Sequence, residues 1–160
     1  MIMTQTSQYL TFGIDRECFA LPVERVREVL DMRPISRLPQ APPYVLGMTD
    51  VRGAGLLVID LRLKFGLPPA EATNRTRIIL VDAAVDGQRL GVGLVADCVF
   101  AVSDLSGAAL EPPPSIGSRW RAEYVVGVGR EGGQFVVVLD LDRMIEMDQL
   151  TGVDEPTLAA

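Results

Sequence analysis

Tyr44-Val45-Leu46-Gly47 and, after a turn, Val58-Ile59-Asp60-Leu61 recur 80 residues later as Tyr124-Val125-Val126-Gly127 and Val138-Leu139-Asp140-Leu141. A second echo precedes each copy at a shift of 73, where Leu21, Glu24, Val26 and Val29 align with Leu94, Asp97, Val99 and Val102. In a chain rich in Val and Gly either echo alone is weak. Both together, in the same order, predict two similar small subdomains. Each half reads as strand, acidic residue, V-x-x-V step, variable stretch, Tyr-Val-x-Gly strand, turn, strand, Asp-Leu, helix. A half of about 70 residues is marginal alone. The two are therefore expected to share an apolar seam, with a groove where they meet as a binding place.

Outward from these motifs the chain is short β-rich runs punctuated by Gly and Pro. Strands are expected at Tyr9–Ile14, Cys18–Leu21, Gly47–Val51, Leu56–Ile59, Arg77–Val81, Leu90–Val95, Val99–Val102, Tyr124–Val128 and Phe135–Leu139. Such runs suit small closed sheets better than a parallel α/β core. Helical signals are few. Pro22 suits a first helical turn, and Val23, Val26, Val29 and Leu30 share a face at helical spacing, which predicts a helix there. A second short helix is expected over Leu141, Met144, Ile145 and Asp148, and a third over Leu61–Phe65, stopped by Gly66-Leu67-Pro68-Pro69. Pro112-Pro113-Pro114 stiffens a long surface loop between Gly107 and Glu123.

Composition removes several chemistries. Among 160 residues, 15 Lys+Arg against 21 Asp+Glu leave a net charge of −6, which argues against affinity built on phosphate neutralisation. Histidine is absent, so no Ser-His-Asp or Cys-His nucleophile system and no His metal ligand exists. Two cysteines, Cys18 and Cys98, are too few for a disulfide framework or a zinc site and read as small buried thiols in a reducing cytosol. Met1 to Gln8 lacks a signal-peptide pattern, and no aliphatic run approaches a bilayer span. The expectation is a cytoplasmic interaction domain without cofactor or metal.

Eight stretches then carry a resemblance. Val26-Arg27-Glu28-Val29 is followed by Ile35-Ser36-Arg37-Leu38-Pro39 and Pro43-Tyr44-Val45-Leu46-Gly47. Met48-Thr49-Asp50-Val51-Arg52-Gly53 runs into Val58-Ile59-Asp60-Leu61-Arg62. The second half supplies Gly91 to Asp97 before Val99, then Glu123-Tyr124-Val125-Val126-Gly127 before Leu139-Asp140-Leu141. Together they resemble the CheW-like domain family over about residues 7–149. The resemblance implies a mainly β fold of two five-stranded SH3-like barrels with a few short helices. The subdomains are expected at roughly 18–72 and 73–149, with strand 8–14 joining the second, and 1–6 and 150–160 as flexible tails. It also implies a non-catalytic adaptor that couples chemoreceptor cytoplasmic tips to a CheA-type histidine kinase through the kinase's CheW-like regulatory domain. Such an adaptor is cytoplasmic and recruited to membrane-associated arrays, without membrane insertion or nucleic acid.

By position, Arg52 matches the arginine of the family's Asn-Leu-Arg-Gly motif, associated with receptor coupling and kinase control. Val26 and Glu28 match positions linked to receptor binding. Each has a plainer alternative: Arg52 tying the turn to Asp60 or Asp50, Val26 packing in the core, Glu28 as a solvated helix charge. Asp50 and Val51 replace the family's Asn-Leu, Leu57 stands where proline is usual, and Gly55 replaces an aliphatic residue and permits a bulge. These departures suit a divergent copy serving a non-flagellar chemosensory output.

Rival chemistry is thin. Asp60 and Asp140 occupy equivalent ends of the halves, where a helix-capping role explains their repetition better than acid–base or Mg²⁺ work. Arg119-Trp120-Arg121 is the only compact basic-aromatic cluster, and Trp120 reads as an apolar anchor or a protein contact. Gly127, Gly129, Gly132 and Gly133 lie between strands with no Lys-Ser/Thr and no opening helix, so they read as a hairpin turn and not a phosphate cradle.

Overall fold

The Val- and Ile-rich runs form ten strands among residues 8–85, 87–105, 111 and 124–147, the part of the chain that the computed structural model describes. They are β1 (Gln8–Ile14), β2 (Glu17–Pro22), β3 (Val26–Asp31), β4 (Val45–Val51), β5 (Ala54–Asp60), β6 (Arg77–Val85), β7 (Gln88–Ala96), β8 (Cys98–Asp104), β9 (Val125–Glu131) and β10 (Gln134–Leu139). Helix α1 (Leu61–Lys64) follows β5, and α2 (Leu141–Met147) follows β10. Two five-stranded sheets result, ordered β8-β1-β2-β10-β9 and β3-β6-β7-β5-β4. Each curls closed. Ser36, beyond one edge, bridges back to Met48 on β4, and Glu111 bridges to Val128 on β9.

The sequence echoes are echoes of register. In the parallel pair β5/β7, Val58 lies opposite Gly93; in β10/β2, Val138 lies opposite Ala20. Those pairs are related by the same shifts of 80 and 73. The Asp60 N–H donates to the Tyr44 carbonyl at 2.8 Å, and the Asp140 N–H donates to the Tyr124 carbonyl at 2.7 Å. Lys64, the one lysine in the sequence, sits between the copies, with Nζ 4.3 Å from the Tyr44 ring and 5.2 Å from that of Tyr124.

Two expectations are corrected. The helix expected from Pro22 to Leu30 is a single 3₁₀ turn, Val23–Arg25, followed by strand β3. A bulge between Val26 and Glu28 inserts one residue, so Val26 and Val29 share a face three residues apart, which mimics helical spacing. The sheets also do not divide at residues 72/73. β6 and β7 complete the sheet of β3, β4 and β5, whereas β2 lies beside β10. Each parallel pair joins strands from the two repeats, so neither repeat closes a barrel by itself. Pro112–Pro114, Asp148 and both tails lie outside the described residues.

Strand faces alternate between cores. Phe12, Phe19, Leu21, Ile59, Leu94 and Leu139 belong to one shared seam cluster. Leu30, Leu56, Val58, Ile78 and Leu80 fill the interior of one barrel, and Cys18, Ala20, Val136 and Val138 that of the other. Strands buried on both faces explain why the sequence shows continuous aliphatic runs. Phe19 stacks on Phe12 at 6.1 Å and on Phe65 at 5.3 Å between ring centroids, which ties both sheets together.

The helix ends are pinned by ion pairs of opposite polarity. Arg62 on α1 donates to Asp97 at 2.7 Å, while Asp142 on α2 accepts from Arg25 at 2.6 Å and from the Ala84 N–H at 3.0 Å. Burial pushes the Asp142 carboxyl up, but the Arg25 guanidinium and the Ala84 N–H outweigh it and hold it below its usual value. A depressed native pKa adds stability above the unfolded value, lost as pH falls through the native one. In acid titrations Asp142→Asn should therefore flatten the loss of stability below about pH 4. With the side chain 37% exposed, the cost at neutral pH should not exceed about 1 kcal/mol.

Candidate functional site

Arg52 and Gly53 are the two residues of the hairpin between β4 and β5, with φ of +52° and +86°. This is the left-handed pair that a two-residue hairpin of primed type requires, and glycine or asparagine is usual at its first place. The Asp50 carboxylate accepts the Gly53 N–H at 2.8 Å and holds the turn. Arg52, 67% exposed, reaches neither Asp60 nor Asp50 in an ion pair. Its guanidinium pairs with Glu28 on β3, so the hairpin is tied to the opposite edge of the same barrel. Two of the three predicted coupling residues are thus in contact.

The third stands apart in role. Val26 is half-buried and packs against the seam cluster, on the other face of β3 from Glu28. Glu28 is not a helix charge; it sits on a strand at a barrel rim. Asp60 and Asp140 accept from the Arg62 and Arg143 N–H groups at 2.9 and 3.1 Å, which is helix capping. Gly55 pairs in register with Asp50, and the irregularity of this hairpin lies between Val45 and Gly47 instead. Trp120 lies outside the described residues. Cys18 and Cys98 carry free thiols, and burial pushes that of Cys18 up to about 11. At pH 8 an alkylating reagent should therefore leave Cys18 unlabelled in the folded chain and modify it on unfolding, as mass spectrometry of the digest would report.

Burial raises the Asp60 carboxyl above its usual value, and the Arg62 and Leu63 N–H groups offset this only in part. The charged form is thus disfavoured in the fold. Asp60→Asn keeps the capping oxygen and removes the buried charge, so the thermal midpoint at pH 7 should rise by about 2 °C. A fall of that size would show that the charge itself supports the cap.

Three arginines that sequence reasoning gave no role converge on Asp82 of β6. Arg27, next to Glu28, leans on Asp82 of β6 at 3.5 Å, and Arg89 of β7 leans on the same carboxylate at 3.9 Å. Arg25 holds the Asp82 carbonyl at 2.7 Å. The only advance signal was the Arg27-Glu28 doublet beside the V-x-x-V step, because Asp82 and Arg89 come from other strands. A separate cleft of about 460 Å³ at the α1 side is lined by Val45, Leu46, Asp60, Arg62, Val95 and Asp97. Among the described residues no three His, Cys, Asp or Glu side chains group to hold a metal ion, and no helix is long and apolar enough to cross a membrane.

Two small closed sheets joined by a common seam define a two-barrel domain. The chain belongs to the CheW-like domain family, whose model matches residues 8–149. It is 26% identical to a chemotaxis protein CheW of Klebsiella aerogenes over 151 residues, covering 94% of this chain and 89% of that protein. A chemotaxis protein CheW of Rhizobium meliloti is 28% identical over 155 residues, covering 92% and 97%. The crystal structure of the scaffolding protein TtCheW from Thermoanaerobacter tengcongensis superposes with a TM-score of 0.77 at 26% identity, over 89% of this chain and 94% of that one.

Proposed function

We propose that this chain is a non-catalytic coupling protein of a chemosensory array. It binds the regulatory domain of a CheA-type histidine kinase and the cytoplasmic tip of a chemoreceptor, and it passes receptor control to the kinase. Family membership and the named relatives support the scaffold role. The Arg52 hairpin supports the location of the receptor contact. At the equivalent turn of the other barrel, Gly132 and Gly133 take φ of +58° and +81°, so the turn itself asks for glycine. Holding an arginine there costs about 1 kcal/mol, which a purely structural turn has no reason to retain. A planar guanidinium fork so placed suits carboxylate or carbonyl groups on a helical tip.

The direct test is reconstitution with a CheA-type kinase and a receptor cytoplasmic fragment from the same organism. The chain should bind both partners and make kinase autophosphorylation receptor-dependent. Failure to bind any CheA-type kinase of its own organism sinks the proposal.

A further inference from the structure

The two cysteines of the chain, far apart in sequence, meet in one row of the barrel built from β1, β2, β8, β9 and β10. Gly13 on β1 pairs with Cys18 on β2 at one side and with Cys98 on β8 at the other. Directly paired residues point to the same face of a sheet, so both thiols flank the one residue of the row without a side chain. That face is the barrel interior, where Cys18 packs with Ala20, Val136 and Val138. The Cys98 sulfur leans over the glycine, 2.9 Å from where a Cβ would stand, and the Phe100 ring edge lies 3.1 Å from the same point. The row is thiol, glycine, thiol, with an aromatic ring above it. Nothing in the fold demands this, because the same row of the sister barrel reads Arg25, Asp82, Gly91 at the shift of 73 and by pairing.

We infer that Cys18 and Cys98 form a two-thiol site for one soft divalent ion, bound in linear geometry across Gly13. The inference goes beyond the coupling reading and does not depend on it. A disulfide is out of reach: β2 and β8 flank β1, which sets their Cα atoms about 9–10 Å apart, against the roughly 4.4–6.8 Å that a disulfide spans. An ion between the sulfurs reaches further, since two metal–sulfur bonds of about 2.3 Å hold them about 4.6 Å apart in place of about 2 Å. Side chains inside a curled sheet also converge. The donor set then selects the ion. Zinc fills four positions, and among the described residues no three His, Cys, Asp or Glu side chains group together. Two sulfurs suit a soft ion that is satisfied by two ligands. Charge selects its valence. Burial, Glu131 and Cys98 push the Cys18 thiol up to about 11, so a pair of bare thiolates is disfavoured. On binding, two S–H bonds break, two metal–sulfur bonds form, two protons leave to water, and the loaded site is neutral. A monovalent ion would leave one negative charge in an apolar interior. Half-buried Cys98 is the point of entry, and Phe100, 53% exposed, is the cover that turns aside.

The test adds mercuric ion, as the probe, to the whole reduced chain in the presence of excess glutathione. Native mass spectrometry should show one ion per monomer with two protons lost. The thiolate-to-metal charge-transfer absorption should reach its plateau at one equivalent. The thermal midpoint should rise, because the ion ties β2 to β8 across β1. Cys18→Ser and Cys98→Ser should each weaken retention by about a hundredfold or more, since the second sulfur binds within the same molecule. Gly13→Ala keeps both thiols but places a methyl between them, and should weaken retention about tenfold. Should one serine variant fail to fold, the other and Gly13→Ala carry the same test. Two ions per chain, one ion joining two chains, or retention unchanged in a single-cysteine variant overturns the inference. Loss of the ion from the unaltered chain to glutathione, a lowered midpoint on loading, or zinc held as tightly as mercuric ion overturns it equally.

Discussion

Gly47→Ala is expected to destabilise the chain by about 3 kcal/mol or more, a large part of the 5–15 kcal/mol typical of a whole domain. Gly47 has φ of +142°, and a Cβ there would stand 1.9 Å from the Ser36 carbonyl oxygen and 2.9 Å from the Arg37 Cα. These neighbours are backbone and are held in place. Ser36 N–H donates to the Met48 carbonyl at 2.7 Å, Met48 N–H returns a bond at 2.8 Å, and Thr49 donates to the Pro34 carbonyl at 2.7 Å. Relieving the clash means pulling apart the contact that closes the barrel, so strain and lost hydrogen bonds add. Gly53→Ala is the control. Its φ is +86°, but its missing Cβ faces open space, so it should cost only about 1 kcal/mol. Urea unfolding followed by circular dichroism separates the two; near-equal costs would show that the Ser36 segment moves aside freely.

That closure also marks where sequence stops being legible. The two-barrel architecture was readable because the Tyr-Val-x-Gly and Asp-Leu motifs occupy places where backbone geometry repeats: the carbonyl of each tyrosine caps the aspartate N–H at the end of the next strand. Capping by Asp60 and Asp140 was readable for the same local reason. The β3 region was not, because the bulge at Arg27 changes the period of the strand, and a three-residue apolar spacing is common to a bulged strand and a helix. The partition into subdomains failed on a non-local fact, the parallel pairing of β2 with β10 and of β5 with β7. Arg52 and Glu28 were found as separate motif positions; their pairing follows only from closing β4–β5 against β3. The rim of Arg27, Asp82 and Arg89 draws on three strands, so the Arg27-Glu28 doublet alone has a linear signature and its partners do not.

Arg52→Gly should separate stability from function. The substitution removes left-handed strain at φ +52° and recreates the Gly-Gly turn that Gly132 and Gly133 already form in the sister barrel. The gain should be about 0.5–1 kcal/mol, offset in part by loss of the Glu28 pair. Exposed ion pairs are commonly worth less than that, and Arg52 is largely open to water, so the balance favours a chain at least as stable as the original. Receptor-controlled kinase activity in the reconstituted array should nevertheless fall by an order of magnitude or more, because the lost fork leaves a carboxylate, Glu28, alone at that part of the rim. Stability gained where function is lost is the expected signature of a strained functional residue. The opposite pattern, a fall of more than about 1 kcal/mol in unfolding free energy with coupling intact, would make Arg52 a structural tie between the hairpin and β3. Adding Glu28→Gln to Arg52→Gly distinguishes the remaining possibility. If coupling returns in the double variant, the unpaired Glu28 had repelled the partner; if it stays lost, Arg52 makes the contact itself.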